Sequence, residues 1–244
     1  GATTISAGTL SVTGSLSNST AVSVADGATY NVNASDTVGS IAGAGTISTS
    51  TAGEKTLTVG ANNSSTTFSG SITDGSGALA LTKVGSGTLT LSGSNSYTGT
   101  TSISAGAMSV SGSLSSGLSL TVSAGTTFVL GRDSTIASLS GSGDINLGSY
   151  TLTLSNANGT YSGVMSGTGG LTLTAGTLTL SGANTYTGTT TISGGTVIVT
   201  NNAGLGTTAG GTSVASGATL DLHNVTVGAE AITLNGGTLK DVTS

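Results

Sequence analysis

The sequence predicts an all-β fold, a right-handed parallel β-helix (β-solenoid), and three observations lead there. Apolar and hydroxyl residues alternate one by one through short runs closed by glycine, which is the period of a strand and not of a helix. One small vocabulary of such runs recurs through all 244 residues, as stacked coils require and a sandwich of unlike strands does not. No proline occurs, so every residue keeps the N–H donor that a strand with neighbours on both sides needs.

The elements follow in order. Thr4-Ile5-Ser6-Ala7-Gly8-Thr9-Leu10-Ser11-Val12 opens the chain and returns as Ser102-Ile103-Ser104-Ala105-Gly106-Ala107-Met108-Ser109-Val110, 98 positions on. VADGATY at 24–30 returns as VSAGTTF at 122–128, and SIAGAG at 40–45 as SLSGSG at 138–143. Strand runs then read from the alternation of Leu57 with Val59, Leu89 with Leu91, Leu152 with Leu154, Leu171 with Leu173 and Leu178 with Leu180. Each puts its aliphatic residues on one face and its threonines on the other. The closest match joins TLTLSGSNSYTG (88–99) to TLTLSGANTYTG (177–188), ten of twelve positions being identical at a shift of 89. Because the shift falls from 98 to 89, loops of unequal length must separate equivalent strands. Coils of about 20 to 25 residues are expected, with the two dodecamers at equivalent places. Residues 1–244 read as a single repeat-built β-solenoid, a segment of a larger extracellular protein or a filament subunit.

Composition excludes several function classes. Mean hydropathy is +0.30 with a net charge of −5, which is too apolar and too weakly charged for disorder. No apolar run approaches the roughly 20 residues of a membrane helix, so this segment is expected not to insert in a membrane. Four Lys and Arg against nine Asp and Glu supply no basic patch for nucleic acid. Without cysteine there are neither disulfides nor thiolate metal sites. The chain opens Gly1-Ala2-Thr3-Thr4, without a Met or a basic, apolar leader, and reads as an excised or processed segment.

The string GSGTLTLSGSNSYTGTTSISAG at 85–106 closely resembles the passenger-associated repeat of bacterial autotransporters, of the form GxGxLxLxGxNxYxGxTxIxxGxL. Gly85, Gly87, Leu89, Leu91, Gly93, Asn95, Tyr97, Gly99, Thr101, Ile103 and Gly106 fill that form, with Met108 where Leu is usual. The second copy departs at its first glycine, where Thr174 stands. The resemblance implies a Gram-negative passenger, extracellular at the cell surface or secreted, and a translocator barrel that this sequence lacks where it stops at Ser244 inside a GGTLK unit.

The residues that could carry chemistry are few. His223 is the sole histidine and alternation sets it beside Asp221 on an outer face, away from Leu220 and Leu222, with no nucleophile in view. Asp26, Asp36, Glu54, Asp74, Asp133, Asp144, Asp221, Glu230 and Asp241 are scattered, mostly in glycine-rich turns, and Arg132 is the only arginine, a poor basis for a glycosidase or lyase. SGSGDINLG (140–148) is one weak copy of a calcium nonapeptide that works only in tandem. Tyr97 and Tyr186 invite a sugar-stacking role, but the plainer expectation is a ring packed at a coil corner with its hydroxyl in water. The pairs Thr56/Thr58, Thr88/Thr90, Thr151/Thr153, Thr172/Thr174 and Thr177/Thr179 should face outward as in ice-binding solenoids, yet their uneven spacing argues against one pair per coil.

These readings give a non-catalytic structural or adhesive shaft with no catalytic, metal or cofactor site, its binding residues unknown, and ice or crystal binding as the alternative. Self-association, head to tail or side to side, is the expected partnership, together with a host or neighbouring cell surface. The ends, Gly1 and the run GGTLKDVTS, carry no polar cap and are expected to be covered by further coils or a second copy.

Overall fold

A computed structural model of the chain describes residues 1–241. Among them every regular element is a β-strand and no helix occurs. The chain forms two compact units, Gly1–Phe128 and Val129–Ser244, and each is a parallel β-solenoid.

In the first unit three parallel sheets take one strand from each coil in turn. One runs Ala2–Ile5, Ala21–Val24, Ser40–Gly43, Thr66–Phe68, Thr88–Leu91 and Ala107–Val110. A second runs Thr9–Val12, Thr29–Val32, Thr46–Ser48 and Ser71–Ile72, and a third Asp36–Val38, Lys55–Val59, Leu79–Lys83, Thr101–Ile103 and Ser119–Val122. The second unit has one sheet of Ser134–Ile136, Leu152–Leu154, Leu171–Leu173, Thr190–Ile192, Thr212–Ala215 and Ile232–Asn235. Another contains Ser138–Gly141, Ala157–Tyr161, Gly176–Leu180, Thr196–Val199, Thr219–Leu222 and Thr238–Lys240, and a short pair joins Asp144–Asn146 to Met165–Ser166.

Register gives the coil length, which varies along the chain. In the first unit Ala2 faces Ala21 across a short coil, while Gly43 faces Phe68 across a long one. In the second unit the coil from Ser134 to its partner Leu152 is short and that from Val197 to Leu220 is longer. The shortest coils are tighter than the expected range of about 20 to 25 residues, because fewer residues connect their strands.

The inward and outward faces fall as the alternation requires. Leu89, Leu91, Leu178 and Leu180 are buried, whereas Thr88, Thr90, Thr177 and Thr179 are not. Burying each leucine contributes about 1.5 to 3 kcal/mol, and the gain accumulates coil by coil. Gly93 shows why the repeat keeps glycine at its corner. A Cβ there would sit 2.0 Å from the carbonyl oxygen of Gly70 in the preceding coil, and at Gly182 a Cβ would sit 2.0 Å from Gly163 O. No side chain fits where one coil rests its backbone on the next.

At the far end, Leu234 and Leu239 continue the inward columns of Val214 and Leu220 and are, among the described residues, the exposed large apolar side chains, at 48% and 43%. Of the expected terminal run, Val242, Thr243 and Ser244 lie outside the described residues.

Candidate binding surface

The twelve-residue repeat is a corner fitting. After Thr88–Leu91 the chain turns at Gly93, and Asn95 reaches out of the turn: its Nδ2 donates to Gly93 O at 3.0 Å and to Ser113 O at 3.1 Å. Tyr97 then points inward, is 0% exposed, and shares a 2.7 Å hydrogen bond with Thr101 Oγ1. The second copy repeats this, with Asn184 Nδ2 donating to Gly204 O at 2.7 Å and Tyr186 OH sharing a 2.6 Å bond with Thr190 Oγ1.

The phenol hydroxyls are thus not in water, as the sequence suggested, but satisfied inside the core by a threonine four residues on. Nor can either ring stack on a sugar. Burial raises both phenol pKa values above the ordinary range; the bond to Thr101 or Thr190 works the other way, and the charge of Glu230 adds to the rise at Tyr186.

Five of the carboxylates are staples. Asp36 is 4% exposed and accepts from Leu16 N, Thr37 N and Tyr30 OH at 2.8 to 3.2 Å. Burial, then the Asp36 charge, raises the Tyr30 pKa. Asp74 accepts from Leu79 N at 2.8 Å and, 24 residues on, from Thr98 N and Oγ1, the latter at 2.6 Å. Asp133 holds Thr151 N, and Glu230 holds Thr212 Oγ1, each at 2.8 Å. Asp144, the acid of the nonapeptide-like run, opens a strand and accepts from Val164 N at 3.4 Å. Each is therefore a carboxylate tying one coil to the next, beyond the turn residue that the sequence suggested.

His223 is half-buried and its backbone N donates to Val199 O at 3.0 Å. No ion pair joins it to Asp221, whose Oδ1 is buried without a hydrogen-bond partner. Arg132 is exposed. No group of three His, Cys, Asp or Glu residues able to hold a metal ion occurs among the described residues.

Lys83 was not singled out by sequence reasoning, although Leu79, Leu81 and Lys83 share the parity of the inward face. It is 1% exposed, its Nζ donating to Val84 O, Gly85 O and Ala105 O at 2.6, 2.8 and 3.2 Å. Burial lowers its pKa.

Along the outward faces of two sheets the recurring side chain is a hydroxyl. In the second unit Thr135, Thr153, Thr172, Thr191, Ser213 and Thr233 follow one another in register, one per coil. In the first, Thr37, Thr58, Thr82, Ser102 and Thr121 do the same. Uneven spacing in the sequence therefore conceals an even ladder, because loops of unequal length absorb the difference. A second column beside the Thr153 ladder is broken, with Gly170, Gly211 and Ala231 alternating with Thr151 and Thr189. A shallow open cleft lies there, lined by Thr189, Thr191, Gly211, Ser213, Ala231 and Thr233.

The comparisons agree with this geometry. The passenger-associated transport repeat model matches residues 1–12, 81–110 and 175–199, which contain both buried Tyr–Thr corners. The Adhesin BmaC autotransporter of Brucella suis biovar 1 (strain 1330) is 43% identical over 185 residues, covering 69% of this chain and 5% of that protein. The chain thus spans a small part of the curated relative's length. No solved structure matches. No helix among the described residues is long and apolar enough to cross a membrane. The chain belongs to the autotransporter passenger domains built on passenger-associated transport repeats and is extracellular, at the cell surface or secreted.

Proposed function

We propose that the chain is a non-catalytic, adhesive shaft segment of a longer extracellular protein, acting through many weak contacts along its outward Ser, Thr and Asn residues. The observation that carries this reading is the division of labour among polar groups. Asp36, Asp74, Tyr97, Asn184 and Tyr186 are consumed in holding coils together, whereas the Thr135 to Thr233 ladder points outward. Its adhesin-named relative supports the same reading. The apolar end at Leu234 and Leu239 favours head-to-tail self-association of isolated chains.

The test coats latex beads with the chain and counts their attachment to cultured epithelial cells. Beads carrying T153E/T172E/T191E should attach at about a tenth of the unmodified level or less, and equal attachment would overturn the reading. Ice or crystal binding is the less favoured alternative, because the columns flanking the Thr153 ladder are broken by Gly170, Gly211 and Ala231 on one side and by Ala137 and Ala215 on the other, which leaves no continuous paired lattice. Clear thermal hysteresis of the isolated chain would replace adhesion with that reading.

A further inference from the structure

Lys83 interrupts an otherwise apolar inward column. Val59, Lys83, Ile103 and Val122 succeed one another coil by coil, and the ammonium meets carbonyl oxygens only. Two of them, Val84 O and Gly85 O, belong to the three-residue corner 84–86, and the third, Ala105 O, comes from the next coil.

The second copy fixes what is special here. Leu171 faces Thr190 and Leu173 faces Ile192, as Leu81 faces Thr101 and Lys83 faces Ile103. Leu173 therefore stands where Lys83 does. Its corner, 174–175, is one residue shorter before the glycine that starts the next run. Between these two copies the inward charge and the additional carbonyl-bearing residue differ together.

A chain that writes one repeat almost twice faces a stacking problem. Leucine exchanged for leucine costs nothing, so a coil can pair with the wrong neighbour at little penalty. A buried ammonium is tolerated only where hydrogen bonds converge on it and is strongly penalised elsewhere. We propose that Lys83 is the register key of the repeat array: it admits the 84–86 corner to one coil only and rejects stackings that set Leu79–Lys83 against any other neighbour.

The test is refolding from urea of the full chain carrying K83L with Ser86 removed, which gives the first corner the length of the second. The denaturation midpoint should stay at or above that of the unmodified chain. The fraction recovered as one native species, read by native gel and by hydrogen-exchange mass spectrometry of residues 79–106, should fall by about half or more. Unchanged recovery of a single species would overturn the proposal, as would a lowered midpoint with unique refolding, which marks Lys83 as a stabiliser alone. Should the double change prevent folding, K83M at the original corner length is read by the same two criteria. The converse variant L173K should reduce single-species recovery as well, and its refolding like the unmodified chain would count against the key.

Discussion

The two copies of the repeat, 81–106 and 171–195, solve one structural problem with unequal polar fittings. Both bury their leucines, both rest glycine on the backbone of the coil before, and both close a Tyr–Thr bond in the core. They differ in what is left over. Asn184 Oδ1 accepts from Met165 N at 2.8 Å, while Asn95 Oδ1 is buried with no partner. Thr190 Oγ1 donates onward to Leu205 O at 3.4 Å in addition to its tyrosine, a bond without a counterpart at Thr101. The apolar face and the glycine contacts define the corner, and the remaining hydrogen bonds are tuned coil by coil.

The largest expected effect is common to both copies and comes from pH. Tyr30, Tyr97, Tyr161 and Tyr186 have folded-state pKa values raised chiefly by burial, with Asp144 adding at Tyr161. The unfolded phenol ionises near pH 10 while the folded one stays protonated, so this stability is complete below about pH 10 and is lost as pH rises past it. Each group contributes about 1.4 kcal/mol per pH unit of that loss. Absorbance at 295 nm should rise together with unfolding by circular dichroism; ionisation of these four groups in a folded chain would refute the burial.

Leu89→Ala and Leu178→Ala should each cost about 2 to 5 kcal/mol and by similar amounts, measured by urea denaturation. A wide gap between them would break the equivalence of the corners.

The asparagines should separate the copies. Asn184→Ala removes the partner of Met165 N and a donor to Gly204 O, whereas Asn95→Ala removes only donors to two carbonyls. Urea denaturation should therefore show the Asn184 variant less stable by about 1 kcal/mol. Equal losses would mean that the Met165 bond contributes nothing.

The tyrosine hydroxyls should give the smallest difference, in the opposite sense. Tyr97→Phe leaves Thr101 without a partner, while after Tyr186→Phe Thr190 retains Leu205 O. The Tyr97 variant should lose about 0.5 kcal/mol more, seen as a lower thermal midpoint.

The sequence carried the strands and faces openly, because alternation at Leu89, Leu91, Leu178 and Leu180 reports directly which side is buried. It also held signals that went unread. Tyr97 with Thr101 and Tyr186 with Thr190 share a four-residue spacing in both copies, which points to a bond between them, and the parity of Lys83 already set it inward. The staples were not legible: Asp74 meets Thr98 across 24 residues and Asp133 meets Thr151 across 18, spacings fixed only after every loop length is known. The hydroxyl ladders were hidden for the same reason, since Thr153, Thr172, Thr191 and Ser213 align only when the coils are wound.

The central claim is that the tyrosines of the repeat are core fittings and that contact with the outside falls to the hydroxyl ladders. Nitration by tetranitromethane, mapped by peptide mass spectrometry, tests it most directly. Tyr97 and Tyr186 should remain unmodified in the native chain and react fully in urea. Nitration of either residue under native conditions, with circular dichroism unchanged, would place a ring of the repeat at the surface and contradict the account.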